Sequence, residues 1–342
     1  MRWDHVDLFV AGTGAYVPPI TPAATVIAAG GYAPDEAART QQVGAAIAPP
    51  GQSTTEMAAT AGRAALERSG HAPDDVALLL HTWSMHCGVD LANAAADVQN
   101  RLAIGSQCYA AELRNGCNAA LGGLQLACAY LVACPSAAMS AAVITSGDTW
   151  PAPYIDRWQT GSGFVMGDGG GALVASRRSG FARILATASV TDPSLEKLGR
   201  GDEPYGPCRH SAAHPIVLRD RARSFWATEM TRDEFWRRHD RGISAAVHAA
   251  TGDAQVEIAD VDHVVYQFLG RELIERELRP IGRDVDDDLW AYGRNIGHMG
   301  PGDHLLGLHR LVESGRFKPG NTALLVGGAT GFAWTAVVLK AC

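Results

Sequence analysis

Charge is scarce in this sequence of 342 residues: Asp, Glu, Lys and Arg make up only 19% of it, and 29 basic against 36 acidic side chains leave a net charge of −7. That balance argues against a surface built to hold nucleic acid. The start, Met1-Arg2-Trp3-Asp4-His5, lacks a basic stretch leading into an apolar core, so no secretory signal is read there and a cytoplasmic protein is expected. An uninterrupted apolar run is missing too. The most apolar stretch, roughly Asn118 to Cys134, contains Asn118, Gln125 and Gly122-Gly123 and stops at Pro135. It reads as a buried helix rather than a membrane span, which needs ~20 predominantly apolar residues.

Cysteines at CxxC spacing are also lacking. The seven present are an odd number and suggest neither a disulfide framework nor a zinc site. Cys87, Cys108, Cys128, Cys134, Cys208 and Cys342 read as small core hydrophobes. His81, His86, His210 and His214 have no carboxylate or Cys partner at ligand spacing, so no metal is expected.

What is there is a core: 47% of the residues are hydrophobic, enough for one large α/β unit or two ordinary domains. Asp7 to Ala11 reads as a strand entering a turn-rich Gly12-Thr13-Gly14 segment, followed by a helix over 54–69 and a buried strand from Val76 to Trp83. A polar helix (91–102), a strand and turn (112–117), a helix led by Cys117, a buried strand (141–148) and a glycine turn with its strand (167–176) complete a first half. The second half repeats the alternation, with strands near 182–189 and 262–267, helices over 243–251, 271–278 and 303–314, and a closing strand pair at 322–326 and 335–339. The halves are divided at 1–178 and 179–342, where Arg177-Arg178 breaks the apolar run. Residues 192–235, rich in charge, His, Pro and Trp and without a clear period, read as an insert that covers something.

Two places carry chemistry. Arg114-Asn115-Gly116-Cys117-Asn118-Ala119 puts a thiol where a strand ends and a small-residue helix begins. Unpaired backbone N–H groups and the dipole at such a terminus favour thiolate, the nucleophilic form. The second place is Asn295-Ile296-Gly297-His298-Met299-Gly300-Pro301-Gly302-Asp303, a turn able to project His298 into a cleft with a carboxylate five residues on to orient it. Read by themselves, Asp303 is equally an N-cap for the next helix and His298 equally a solvated turn residue. Gly167-Asp168-Gly169-Gly170-Gly171 is a tight turn and not a phosphate loop, because no Lys-Ser/Thr follows.

In order, these segments resemble the β-ketoacyl-acyl carrier protein synthase III branch of the thiolase superfamily over essentially the whole chain. The resemblance rests on Gly116-Cys117-Asn118-Ala119, on Met166-Gly167-Asp168-Gly169-Gly170-Gly171-Ala172-Leu173-Val174, and on the ending from Gly315-Arg316-Phe317-Lys318-Pro319-Gly320 through Leu324 to Trp334. It implies an α/β, thiolase-like five-layer αβαβα fold of two similar halves, a homodimer, and Cys117 as the acyl-accepting residue. Backbone N–H groups of Cys117 and near Thr330 would then form an oxyanion hole. Ordinary members pair the Cys with a His and an Asn that hold a malonyl thioester during decarboxylation. Here the His is read as replaced by Tyr266, His298 stands in place of the Asn, and Asp303 falls near the family's Ser. This pattern resembles the acyltransferase offshoot found in natural-product pathways such as polyketide and antibiotic biosynthesis.

The expected chemistry is therefore transfer of an acyl group from an acyl-carrier-protein or acyl-CoA thioester, through acyl-Cys117, to a carrier thiol or a hydroxyl of a small-molecule acceptor. His298 and Asp303 would complete the catalytic set. No cofactor is expected, since the coenzyme A or phosphopantetheine thioester is itself the substrate. Tyr266, Asn295 and Trp83 are expected along the substrate tunnel. Two alternatives stand beside this: a starter-unit condensing enzyme, and a non-catalytic subunit that binds acyl carriers.

Overall fold

The computed structural model describes residues 1–85, 88–89, 91–134, 136–161, 163–206 and 214–342. Cys87, Cys208, His86 and His210 therefore lie outside the described residues.

The chain begins with β1 (Phe9–Tyr16) and a two-stranded sheet of β2 (Ile20–Pro22) and β3 (Gly44–Ala46) that encloses α1 (Ala23–Ala28) and α2 (Pro34–Thr40). Next come α3 (Thr54–Ser69), β4 (Val76–Thr82), α4 (Ala94–Arg101), β5 (Tyr109–Leu113), α5 (Ala119–Ala133), β6 (Ala141–Asp148) and β7 (Gly169–Ser176). The chain then runs through β8 (Ala182–Thr191), α6 (Lys197–Arg200), α7 (Leu218–Thr228), α8 (Arg232–Ala254), β9 (His263–Val265) and α9 (Arg271–Leu278). It closes with α10 (Asp287–Ile296), α11 (Gly302–Glu313), β10 (Thr322–Ala329) and β11 (Ala333–Ala341).

Among the described residues, nine strands share one hydrogen-bonded sheet in the order β5-β4-β6-β7-β1-β8-β11-β10-β9. The pairing repeats outward from its middle. β1 pairs antiparallel with β7, β7 antiparallel with β6, and β6 parallel with β4; β8, β11, β10 and β9 follow the same sequence of senses. The two sets join where Phe9 and Val10 pair with Arg183 and Ala182.

Alternation along the strands builds the layers. On β7, a Cβ at Gly170 would lie 2.6 Å from the Met57 carbonyl oxygen of α3, while one at Gly171 would lie 2.8 Å from Leu305 of α11. On β11, Trp334 packs against Gly242 of α8, while Thr335 accepts a 2.8 Å hydrogen bond from Asn118 beside α5. α3 and α8 are thus outer layers, and α5 and α11 lie between the two strand sets, each touching both. The fold is the five-layer αβαβα arrangement. The apolar stretch around α5 is interior along part of its surface, with Leu121, Leu124, Ala127 and Leu131 fully buried, while Leu126, Tyr130 and Val132 are exposed.

The glycines read as turns at 12–14 and 169–171 belong instead to β1 and β7. Their cause is close approach: a Cβ at Gly14 would stand 2.0 Å from the Ala61 carbonyl of α3. The same helix begins and ends where its sequence says, with Ser53 capping the Glu56 N–H and Gly70 following at φ 68°. Among the described residues of 192–235 stand α6, α7 and the start of α8: α7 buries Phe225, and α8 starts at Arg232, eleven residues before the expected Ile243. Its buried residues Phe235, His239, Gly242 and Ala246 keep helical spacing, but the intervening Arg and Asp residues obscure it. α10, between Asp286 and Gly297, has no counterpart in the sequence reading, although Asp286 caps it and Leu289, Trp290, Gly293 and Ile296 line one face.

Candidate active site

Cys117 stands between β5 and α5 on a turn set by Gly116 at φ 52°, with Asn118 as the helix N-cap. The left-handed backbone at Gly116 turns the chain sharply enough to aim the thiol away from both elements. A Cβ at Gly116 would lie 2.9 Å from that of Ala329, so the turn rests against the end of β10. Asn118 fixes the other side through Thr335.

His298 follows α10 and is held by backbone from the other half of the chain. Its N–H donates to the Val165 carbonyl at 2.8 Å, and its carbonyl accepts from the Gly167 N–H at 2.9 Å. A Cβ at Gly167 would sit 2.1 Å from the Ile296 carbonyl, so only glycine allows this contact. The imidazole is 3% exposed, its Nε2 lies 2.9 Å from Cys117 Sγ, and its Nδ1 lies 2.5 Å from Asp303 Oδ2. A carboxylate oxygen holding further N–H donors can only accept, so Nδ1 carries a proton and Nε2 faces sulfur.

Asp303 is wholly buried and accepts from three N–H groups: His298 Nδ1, Phe268 N at 2.7 Å and Met299 N at 2.8 Å. It is not the cap of α11, whose N-cap is Pro301; its side chain turns back to the histidine instead. Burial alone would push His298 down, but the Cys117 sulfur and the Asp303 carboxylate outweigh it and hold the imidazole well above its ordinary range. Phe164 closes the face of the ring edge-on at 5.6 Å. The structure thus brings Cys117, His298 and Asp303 into one hydrogen-bonded line.

The other expected positions divide. Thr330 lies in the β10–β11 turn, with its carbonyl 3.9 Å from a Cβ placed on Gly116. Trp83 follows β4, donating at 2.8 Å to Glu112 with the Arg114 guanidinium over its ring, on the strand that leads to Cys117. Tyr266 does not face the site: it is 2% exposed and its hydroxyl donates to the Asp286 carbonyl at 2.7 Å. Its neighbour Gln267 accepts from Gly328 N at 3.1 Å and steadies the strand leading to Thr330. Asn295 is exposed on α10, and its amide is spent on the Ala291 carbonyl. His81 is a core residue bonded to Thr145, and burial pushes it down to about 4.

Several supporting groups have no signal in the sequence beyond their place at strand ends. Asp148, fully buried at the end of β6, accepts from the Ser84 and Met85 N–H groups, and burial pushes its carboxyl up to about 7. Asp168 takes two bonds from Arg157 at 3.0 and 3.1 Å and two from the Ala48 and Trp150 N–H groups, clamping the turn beneath Gly167. His304 donates to the Val326 carbonyl at 3.0 Å, tying α11 to β10.

Comparison with known proteins agrees with this architecture. Residues 111–193 match the family model of 3-oxoacyl-[acyl-carrier-protein (ACP)] synthase III, and residues 252–341 match the model of its C-terminal part. Among relatives, a β-ketoacyl-[acyl-carrier-protein] synthase III of Rhizorhabdus wittichii is 25% identical over 86% of both chains, and one of a Synechococcus strain is 26% identical over 97% of both. The solved structure of ChlB3, described as an acyltransferase, is 31% identical, covers 98% of both chains and superposes with a TM-score of 0.90. 3-Oxoacyl-[acyl-carrier-protein] synthase III of Aquifex aeolicus superposes at 0.77 with 20% identity over 97% of this chain and 99% of its own. The chain belongs to the 3-oxoacyl-[acyl-carrier-protein] synthase III-like branch of the thiolase superfamily, a family of enzymes.

Proposed function

We propose that the protein is an acyltransferase of natural-product biosynthesis, working by two half-reactions through Cys117. The observation that carries this reading is the line Cys117 Sγ, His298 Nε2, His298 Nδ1, Asp303 Oδ2, with its contacts of 2.9 and 2.5 Å. A thiolate beside a charged imidazole is a nucleophile with its proton donor already in place.

In the first half-reaction, the Cys117 sulfur attacks the carbonyl carbon of an acyl-carrier or acyl-CoA thioester. The bond to the donor sulfur breaks and His298 gives its proton to that leaving thiolate. Neutral His298 then takes the proton of an acceptor hydroxyl or thiol as it attacks acyl-Cys117, and release of the Cys117 thiolate restores the starting pair. Asp303 keeps Nδ1 protonated throughout and offsets the imidazolium charge. The N–H groups of Cys117 and Thr330 receive the negative oxygen of each tetrahedral intermediate. The likeness to ChlB3, described as an acyltransferase, supports this reading, as does a base on Cys117 where the resemblance expects an Asn. The edge strand β5, with Tyr109 exposed on it, offers the surface for a homodimer, which light scattering tests.

The relatives named as synthases favour a second reading, decarboxylative condensation with a malonyl carrier. Release of carbon dioxide from malonyl carrier is the signature of that chemistry and is not expected here. The decisive experiment is intact-protein mass after brief exposure to acyl-CoA and acyl-carrier thioesters. Wild type and His298→Ala are expected to gain one acyl mass; Cys117→Ala gains none, and its transfer rate falls by more than ~10³-fold. If wild type stays unacylated with every donor, the chain is a binding subunit and the proposal fails.

A further inference from the structure

The stretch that the sequence marks as a cover, 192–235, meets the Cys117 turn through one side chain. The ladder between β10 and β11 ends at the Ala329–Ala333 pair, so Thr330 and Gly331 form an open turn, and both are exposed. Burial therefore does not fix where this turn stands. Acyl transfer through Cys117 nevertheless needs the Thr330 N–H held at about 2.7–3.1 Å from a developing oxyanion.

Its neighbours fix it instead. On one side, a Cβ at Gly116 would lie 2.9 Å from the Ala329 Cβ and 3.9 Å from Thr330 Oγ1, so the turn rests on the residue that precedes Cys117. On the other, the Asp192 N–H donates to the Phe332 carbonyl at 2.9 Å and the Phe332 N–H to the Asp192 carbonyl at 3.4 Å, which ties the far end of the turn to the start of the 192–235 stretch.

Gly199 of α6 closes the enclosure. A Cβ there would lie 3.1 Å from Thr330 Cβ, 3.3 Å from its Oγ1 and 3.6 Å from its Cγ2. Carbon atoms in ordinary contact stand about 3.5–4.0 Å apart, so α6 already sits flush on the Thr330 side chain and leaves no room for a methyl group. Glycine is disfavoured in a helix relative to alanine, and Gly199 is not among the residues of positive φ, so what it supplies is space rather than backbone freedom. The segment is firmly seated. Leu195 is fully buried, and the Gly199 carbonyl accepts at 2.8 Å from Arg221 of α7, which also donates to Glu203 at 2.9 Å. One line of contact thus runs from α7 through Arg221, Gly199 and Thr330 to Gly116 and Cys117.

We infer that α6 braces the oxyanion turn and that Gly199 is a positioning residue, acting on the reaction through Thr330. This rests on the acyl-transfer reading and gives the 192–235 stretch a part in the chemical step beyond that of a cover. A brace of this kind affects both tetrahedral intermediates alike, because both place their negative oxygen at the same N–H, and it leaves the binding of the donor unchanged.

The test follows acylation of the full chain in single turnovers by intact mass, over a range of concentrations of the acyl-CoA thioester that loads wild type fastest, and then discharge of the acyl group by hydroxylamine. Gly199→Ala is expected to lower the limiting acylation rate about ten-fold or more, part of the ~10²–10³ that loss of a whole oxyanion donor costs. Discharge should slow by a similar factor, with the half-saturating donor concentration unchanged. Thr330→Gly keeps the N–H and removes all three atoms that the new methyl would strike. The double variant is therefore expected to match Thr330→Gly alone, so that the cost of Gly199→Ala disappears in that background. A wild-type limiting rate in Gly199→Ala, or its full cost persisting beside Thr330→Gly, overturns the inference. So does a raised half-saturating concentration at an unchanged limiting rate, which would assign α6 to holding the donor. Failure of wild type to acylate with any donor precedes these comparisons, and so identifies a failure of the acyl-transfer reading itself.

Discussion

Three N–H groups converge on the Asp303 carboxylate, and only one of them, from His298, leads on to Cys117. Asp303→Asn keeps the volume but presents an NH2 where acceptors are needed, so the imidazole loses its fixed tautomer. A fall in kcat/KM of about 10³–10⁴ is expected from steady-state kinetics. The pH profile moves as well. His298 is raised by Cys117 and then by Asp303 against the pull of burial, so removing the carboxylate charge lowers it and shifts the alkaline limb of acylation to lower pH. The stability this histidine contributes is complete below its unfolded value and lost as pH rises through its raised folded value; in the variant that loss comes at lower pH, visible in Tm against pH. Asp148 has the opposite consequence. Burial lifts it to about 7, so between its unfolded value and about 7 the folded state holds a proton that the unfolded state has given up, and stability falls as pH rises through that window. Asp148→Asn leaves an oxygen for the Ser84 and Met85 N–H groups and does not titrate. Its Tm advantage over wild type is expected to grow from pH 5 to pH 8.

His298 reaches Cys117 because a short run of backbone, Val165 to Gly167, holds the exit of α10. Gly167→Ala places a Cβ 2.1 Å from the Ile296 carbonyl and must push the two segments apart. Activity is expected to drop by about 10²-fold or more, since a displacement of ~1 Å is enough for that, with a loss of about 1–3 kcal/mol in denaturant unfolding. An unchanged rate would show that the bridge does not position the base. The elements that were legible in the sequence are those whose signals are local. α3 has the expected limits because a cap and one-sided apolar spacing define it, α9 because of its one-sided apolar spacing, and β6 because it opens on a buried apolar run, Ala141 to Ile144. The meeting of Cys117, His298 and Asp303 was legible because such residue types are rare in this setting and turn glycines stand next to them. What escaped depends on neighbours distant in sequence. Gly14 and Gly170 look like turn residues until a helix lies against them. Tyr266 turns to the Asp286 carbonyl because one step along a strand reverses the face, and spacing alone does not say which face meets the thiol.

Across the whole molecule, α5 carries the nucleophile's turn and α11 carries Asp303, and both lie in the layer shared by the two strand sets. Neither half has a closed core without the other's central helix. One cooperative transition is therefore expected when denaturation is followed by far-UV circular dichroism and by Trp fluorescence, and residues 1–178 expressed alone should fail to fold. Two separated transitions would show that the halves are independent. The same construction limits how the enzyme can breathe. In many enzymes two lobes swing apart to admit substrate, but here Cys117 comes from one half, His298 from the other, and the main chain of the first is stitched to His298 itself. A swing would dismantle the chemistry each time it opened. Substrate traffic must be handled by smaller moving parts, so turnover should respond to solvent viscosity without any change in the spacing of the two lobes.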